Sequence, residues 1–308
     1  MNSIYNPEHD TNAINNALNG KGPKAETIIK IICNRTNQQR QQILTHYKAS
    51  YGNDLTEVLR SELGGNFEVC VLALFDTPVM YDVKELAYAM KGAGTNEDTL
   101  IEIIASRPKK RLEEIKAAYS THIGETLEAA INDETTGDLK NLLVSLLQCK
   151  RSDNVIVDNA KCLEDAKELY EAGEGKWGTD ESVFNKIFSL RSSYEIGVIS
   201  RHYQQITGHS LMEAIESEFS GDILVLMKTI LKVMVNPHAY FAERVNQAIK
   251  GWGTNDRLLI RVLVSRDEVD MPEIKAAYKS MYGVDMLQDV IDDTSGDYKD
   301  LLVELASH

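Results

Sequence analysis

Basic residues are in deficit in this chain. Its 308 residues hold 33 Lys and Arg against 47 Asp and Glu, a net charge of −14. A nucleic-acid binder is normally basic, so that class is excluded. Direct attraction to an anionic membrane is disfavoured for the same reason, unless a cation bridges the two surfaces. No run of 18 or more apolar residues occurs, so no segment reads as a membrane span. The start, "MNSIYNPEHD", has neither the basic nor the apolar part of a signal peptide. Myristoylation needs a Met-Gly start, which is absent, and the terminal "LASH" is no prenylation site. Four cysteines lie far apart with no CxxC pair. The apolar surroundings of Cys33 and Cys70 read as buried free thiols, while Cys149 and Cys162 flank a polar stretch and could pair in an oxidising compartment. Seven scattered histidines form no HExxH or HxH, and neither a Walker A sequence nor an EF-hand loop is present. No Ser/His/Asp or Cys/His set can be assembled, so the chain does not read as an enzyme.

What the chain does have is repetition. "NGKGPKAE", "KGAGTNED", "GKWGTDE" and "KGWGTND" each close on a glycine: Gly22, Gly94, Gly178 and Gly253. An apolar run ending in arginine follows each loop, "IIKIICNR", "LIEIIASR", "VFNKIFSLR" and "LLIRVLVSR". A second amphipathic run then carries a tyrosine and ends at Gly52, Gly124, Gly208 or Gly283, where a helix C-cap is expected. An acidic stretch and a last apolar run complete each unit. The periodicity is helical: Leu112, Ile115, Ala118 and Tyr119 fall on one face. No sustained alternation occurs, so strands should be scarce. Thr95 is placed to cap the helix after its loop, with Glu97 and Asp98 in the first turn. Units of this size bury little alone, so the four should pack together. The stretch after the second unit is the longest connection and predicts a division into two halves there.

Forty residues beyond each loop glycine stands a carboxylate: Glu62, Glu134, Glu218 and Asp293. A Gly-rich loop with one distant carboxylate suits a hard cation. Ca²⁺ takes about six to eight oxygens, and main-chain carbonyls serve well. Glycine lets a tight turn bring several carbonyls together, because a positive φ costs it nothing. One protein charge per site predicts weak binding, at roughly 10⁻⁴–10⁻³ M. A single such loop is more often a plain turn; four in register are not. "GEGKWG" (Gly173–Gly178) fits a dinucleotide fingerprint in letters, but it follows a helix-like run and no strand, and fails its context.

"MKGAGTNEDTLIEIIASR … DETTGDLKNLLVSLL" resembles the annexin repeat, four times over across residues 12–306. The resemblance implies an all-α fold of four five-helix repeats packed into a curved disc. It places a head at 1–11, repeats at 12–77, 83–148, 164–232 and 239–306, and a linker at 149–163. It also implies Ca²⁺-dependent peripheral binding to acidic, phosphatidylserine-like membranes, with cytoskeletal contacts or self-association on the membrane as further partners. The setting it implies is cytoplasmic, with export by a non-classical route left open. A helical scaffold for protein partners and a calcium-regulated ion-conducting assembly stay as alternatives.

Carried over by position, the implied ligands are Leu18, Gly20, Gly22 and Glu62 in repeat 1, and Met90, Gly92, Gly94 and Glu134 in repeat 2. Repeat 3 gives Gly173, Lys176, Gly178 and Glu218, and repeat 4 gives Ile249, Gly251, Gly253 and Asp293. Glu97, Glu181 and Asp256 are candidates for secondary positions. Repeat 1 departs from the pattern, with Pro23 where the others have Thr and Ala25 where they have an acid. Both tryptophans, Trp177 and Trp252, stand at one loop position, where an indole suits a membrane interface.

Overall fold

The computed structural model describes residues 5–19, 22–92, 94–251 and 253–307. Among them are twenty α-helices and no strand. Repeat 1 comprises α1 (Pro7–Leu18), α2 (Ala25–Cys33), α3 (Asn37–Tyr51), α4 (Leu55–Glu62) and α5 (Gly65–Phe75). Repeat 2 comprises α6 (Pro78–Ala89), α7 (Glu97–Ser106), α8 (Lys109–Ile123), α9 (Leu127–Glu134) and α10 (Gly137–Leu147). Repeat 3 runs through α11 (Asn159–Ala172), α12 (Glu181–Leu190), α13 (Ser193–Thr207), α14 (Leu211–Glu218) and α15 (Gly221–Val235). Repeat 4 closes the chain with α16 (Pro237–Ile249), α17 (Asp256–Arg266), α18 (Met271–Tyr282), α19 (Met286–Asp293) and α20 (Gly296–Leu305). Helix α1 begins inside the stretch expected as a head, and α11 begins inside the expected linker. None of these helices is long and apolar enough to cross a membrane.

The helix ends follow from local chemistry. Thr36 with Gln39 and Ser192 with Glu195 form capping boxes that start α3 and α13. The third helix of every repeat ends on a left-handed glycine, from Gly52 at φ 74° to Gly124 at φ 92°. A residue with a Cβ is disfavoured there. Thr95 does not cap α7, contrary to expectation. Asn96 does so, its side chain accepting from the Thr99 amide, because the Thr95 hydroxyl is engaged elsewhere.

Apolar faces meet inside each repeat. Ile28, Ile32, Ile43 and Leu59 are fully buried in repeat 1, and Phe184, Phe188 and Ile199 in repeat 3. Each such side chain contributes about 1.5–3 kcal/mol on leaving water. All four cysteines are buried and unpaired, so Cys149 and Cys162 form no disulfide.

The arginines that end the second helices are tied back to the first. Arg35 pairs with Asp10 at 2.6 Å, Arg107 with Asp82 at 2.8 Å and Arg191 with Asp165 at 2.5 Å. Each aspartate is at most 2% exposed, so the bidentate geometry is what makes its charge tolerable. In repeat 4 the aspartate position is Phe241. Arg266 lies 4.4 Å over that ring and turns to Asp270 instead, at 2.7 Å.

The expected division after repeat 2 does not occur. The chain separates into one compact unit of residues 1–81 with 241–308 and another of residues 82–240. Repeats 1 and 4 thus pack together, as do repeats 2 and 3. In the first unit Arg40, 3% exposed, donates to Glu268 at 2.9 Å and to the carbonyls of Ile32 and Arg35. In the second, the long connection is pinned to repeat 3: Arg151 donates to the Phe188 carbonyl at 2.7 Å and Ser152 N–H to Leu190 at 2.8 Å. Length alone made that stretch look like a boundary; its hydrogen bonds make it part of the packing.

Candidate functional site

The loop joining the first two helices is closed the same way in every repeat. Lys24, Asn96, Asp180 and Asn255 N–H donate to the carbonyls of Ala17, Ala89, Ala172 and Ala248 at 2.7–3.0 Å. The bond spans seven residues in repeats 1, 2 and 4 and eight in repeat 3, so the third loop carries one extra residue. The residue after each alanine is an expected ligand. Leu18, Met90, Gly173 and Ile249 all lie at the end of the first helix, where carbonyls lose their intrahelical partners. The side chains of Leu18, Met90 and Ile249 are buried, so each holds its main chain to the repeat core.

The loop glycines take backbone conformations that other residues avoid. Gly22, Gly94, Gly178 and Gly253 have φ of 111°, 104°, 79° and 79°, and a Cβ at any of these four would meet nothing within 4 Å. Glycine is there for the backbone turn rather than for lack of room. Gly92 shares the left-handed geometry at 101°. Gly251 is not in this group; its nearest neighbour is the Gly253 carbonyl. Gly20 and Trp252 lie outside the described residues. Trp177 is fully exposed.

The distant carboxylates meet these loops through threonine. Thr95 Oγ donates to Glu134 Oε2 at 2.8 Å, Thr179 to Glu218 at 2.5 Å and Thr254 to Asp293 at 2.6 Å. Each hydroxyl also lies 3.2–3.5 Å from the main-chain oxygen of the same acid. Glu134, Glu218 and Asp293 are the last residues of α9, α14 and α19, so they are presented where those helices stop. In repeat 1 the threonine position is Pro23, and Glu62, the last residue of α4, is exposed. Glu97, Glu181 and Asp256 open α7, α12 and α17, in the first turn where the helix dipole favours an acid.

The third loop is built differently. Its Gly173 carbonyl accepts from Lys176 N–H at 3.0 Å, leaving one lone pair. Glu174 points inward, accepting from Tyr203 Oη at 2.7 Å with His209 Nδ1 at 3.4 Å. Burial, and then the Glu174 carboxylate, push the Tyr203 hydroxyl far above the usual tyrosine range. Repeat 4 anchors its loop by another route: Lys250 reaches Asp289 at 3.0 Å, which accepts from Tyr278 at 2.6 Å. Sequence reading missed these anchors and the threonine contacts. The recurring tyrosine and the Thr beside three of the four loop glycines were the visible signals.

Within each unit the loop end of one repeat adjoins that of its neighbour. A groove of about 410 Å³ is lined by Pro23 and Glu62 of repeat 1 and by Ser295 and Asp297 of repeat 4. A second of about 410 Å³ is lined by Asp138 of repeat 2 and by Asp180 and Glu181 of repeat 3. Among the described residues no three His, Cys, Asp or Glu side chains gather as a metal cluster. In repeats 2, 3 and 4 a single carboxylate meets the loop instead.

Four tandem repeats of five helices, each with a glycine loop facing a distant acid, define the class. The annexin family pattern matches residues 9–74, 81–146, 164–230 and 240–305, and the chain belongs to the annexin family. Over 303 residues it is 45% identical to annexin A11 of Mus musculus, covering 98% of this chain. It spans 60% of that relative's length. Annexin III superposes with a TM-score of 0.97 at 37% identity, covering 99% of this chain and 94% of the other. The calcium-bound annexin (Sm)1 superposes with a TM-score of 0.88 at 31% identity, covering 98% and 90%.

Proposed function

We propose that this annexin binds acidic phospholipid membranes peripherally, through Ca²⁺ held by its interhelical loops. The reading is carried by the convergence of a glycine loop and a carboxylate 40 residues distant, joined in repeats 2, 3 and 4 by a hydrogen bond of 2.5–2.8 Å. The donor set fits the ion: all oxygen, one charge per loop, with turns that cluster carbonyls. The same set lacks the thiolates and imidazoles that softer metals prefer. The calcium-bound relative supports the choice of cation.

The ligands are the main-chain oxygens of Leu18, Gly20 and Gly22 with Glu62, and of Met90, Gly92 and Gly94 with Glu134. In repeat 3 they are those of Gly173, Lys176 and Gly178 with Glu218, and in repeat 4 those of Ile249, Gly251 and Gly253 with Asp293. Bound there, Ca²⁺ would offer its remaining positions to lipid phosphate or carboxylate oxygens. This resolves the charge conflict, since a chain at −14 and an anionic surface otherwise repel. Neighbouring loop ends within a unit let a second contact follow the first at high effective concentration. Trp177 and Trp252 insert at the interface, each contributing about 1–2 kcal/mol. The protein acts by binding, without a catalytic step. It resides in the cytoplasm and moves to membranes as calcium rises.

Co-sedimentation with phosphatidylserine vesicles tests the reading. Pelleting in calcium and release by chelator are expected. No pelleting at millimolar calcium would reject it and favour a helical scaffold for protein partners.

A further inference from the structure

We infer that the loop threonines Thr95, Thr179 and Thr254 are positioning residues that hold each metal-facing carboxylate ready, and that repeat 1, lacking one, fills last. The inference rests on the cation reading above, and concerns residues outside the ligand set.

The geometry is the same three times. Each hydroxyl has one proton and two nearby oxygens from one acid, and the shorter contact is always to the carboxylate, at 2.8, 2.5 and 2.6 Å against 3.3, 3.5 and 3.2 Å. The carboxylate keeps most of its lone pairs, so accepting this bond does not spend its capacity for a cation. What it loses is freedom. A free glutamate samples many rotamers, and that entropy must be surrendered when the cation binds. A carboxylate already held by a neighbouring hydroxyl has surrendered part of it beforehand. Repeat 4 shows that the contact follows the acid rather than its length: Asp293 is one methylene shorter than Glu134 and Glu218, yet Thr254 reaches it equally well. Such outer contacts to ligating carboxylates commonly change metal affinity by about 10- to 100-fold. A partly exposed hydroxyl, worth a modest net hydrogen bond, places this case at or below the bottom of that range, at about 3- to 10-fold.

Repeat 1 is the natural control. Pro23 has neither hydroxyl nor N–H, and the Glu62 carboxylate makes no hydrogen bond or ion pair among the described residues. Glu62 lines a groove of about 410 Å³ that Asp297 also lines, and the hydroxyl of Ser295 and the amide of Asn66 in the same lining make no hydrogen bond to its carboxylate.

Terbium(III), an oxygen-seeking cation whose emission is excited by a nearby indole, reads single loops here. In a Trp252→Phe background the remaining indole, Trp177, reports repeat 3. Thr179→Val should raise the terbium concentration at half-signal about 3- to 10-fold, Thr179→Ser should restore it, and Thr95→Val should leave it unmoved. The mirror test uses Trp177→Phe with Thr254→Val, so one misfolded variant does not decide the matter. Thermal unfolding without cation accompanies each. An unmoved Thr179→Val midpoint, with the signal lost in Glu218→Gln, would overturn the positioning role alone. A wild-type signal in Glu218→Gln would overturn the site itself. A serine variant behaving like the valine would assign the effect to methyl packing and overturn the inference.

Discussion

Gly173 lies directly against the carboxyl group of Glu218. A Cβ at Gly173 would stand 3.2 Å from both Cγ and Cδ of that side chain, and 3.4 Å from the Phe184 ring. The ring is fully buried and cannot give way, so the carboxylate must. Gly173→Ala is therefore expected to move Glu218 off the Thr179 hydroxyl and weaken cation binding at repeat 3, at a cost to the fold of about 1–3 kcal/mol. Calcium titration by calorimetry, with Gly251→Ala as the comparison, checks this. Gly251 has no neighbour closer than 3.9 Å, so its variant should bind as the parent does. Equal losses in the two variants would mean that glycine serves only the backbone at both positions.

The four carboxylates should not be equivalent. Glu134→Gln and Asp293→Asn each remove a charge that the structure holds in place, and both should raise the calcium needed for vesicle binding. Glu62→Gln removes a charge that no described residue holds, and should raise it least. Each charge-removing change at a cation is worth several-fold in affinity. Vesicle co-sedimentation against free calcium orders the variants. A Glu62→Gln effect as large as that of Glu134→Gln would reject the ranking.

The repeats, the all-helical class and the four glycine C-caps were legible because each is a local pattern. A glycine in register means a backbone turn, and apolar residues on one face mean a helix. The approach of the distant acids to their loops was legible only through spacing, since Glu134 and Gly94 are 40 residues apart and nothing local links them. Three things were not legible. The cap of α7 passed from Thr95 to Asn96 because Thr95 found a partner in another helix, and no local rule foresees that competition. That the helix-ending arginines meet acids is natural, but which acids, Asp10, Asp82 and Asp165, is decided by burial against the first helix. The pairing of repeats 1 with 4 and 2 with 3 depends on which apolar faces meet. Chain order says nothing about that, and a long polar connection misleads.

The buried Asp82–Arg107 pair yields a stability prediction. The bidentate contacts are 2.8 and 3.0 Å, and both side chains are at least nine-tenths buried. Asp82→Asn removes the buried charge that the guanidinium's two parallel contacts meet and should cost about 3–5 kcal/mol. Lys30 and Glu26 form an exposed pair on α2, and Glu26→Gln should cost far less. Urea unfolding midpoints at neutral pH make the comparison. Similar losses in the two variants would show that the Asp82 site relaxes or admits water.

Alkaline pH should weaken the fold in a way traceable to single tyrosines. Burial raises the Tyr203 and Tyr278 hydroxyls, and hydrogen bonds to Glu174 and Asp289 raise them further; burial does the same for Tyr298. A group raised in the folded state keeps its proton there after the unfolded chain has released it at about pH 10. The stabilisation is thus fully present below that pH and drains away as pH rises through the folded value. Urea midpoints should hold steady from pH 8 to 9 and fall steeply above 10. Tyr203→Phe removes one of these protons, so its midpoint should fall less steeply. At pH 7 the same variant loses the bond to Glu174 and should be about 1–2 kcal/mol less stable. Parallel curves for Tyr203→Phe and the parent would place the alkaline transition elsewhere, in Tyr278, Tyr298 or the lysines.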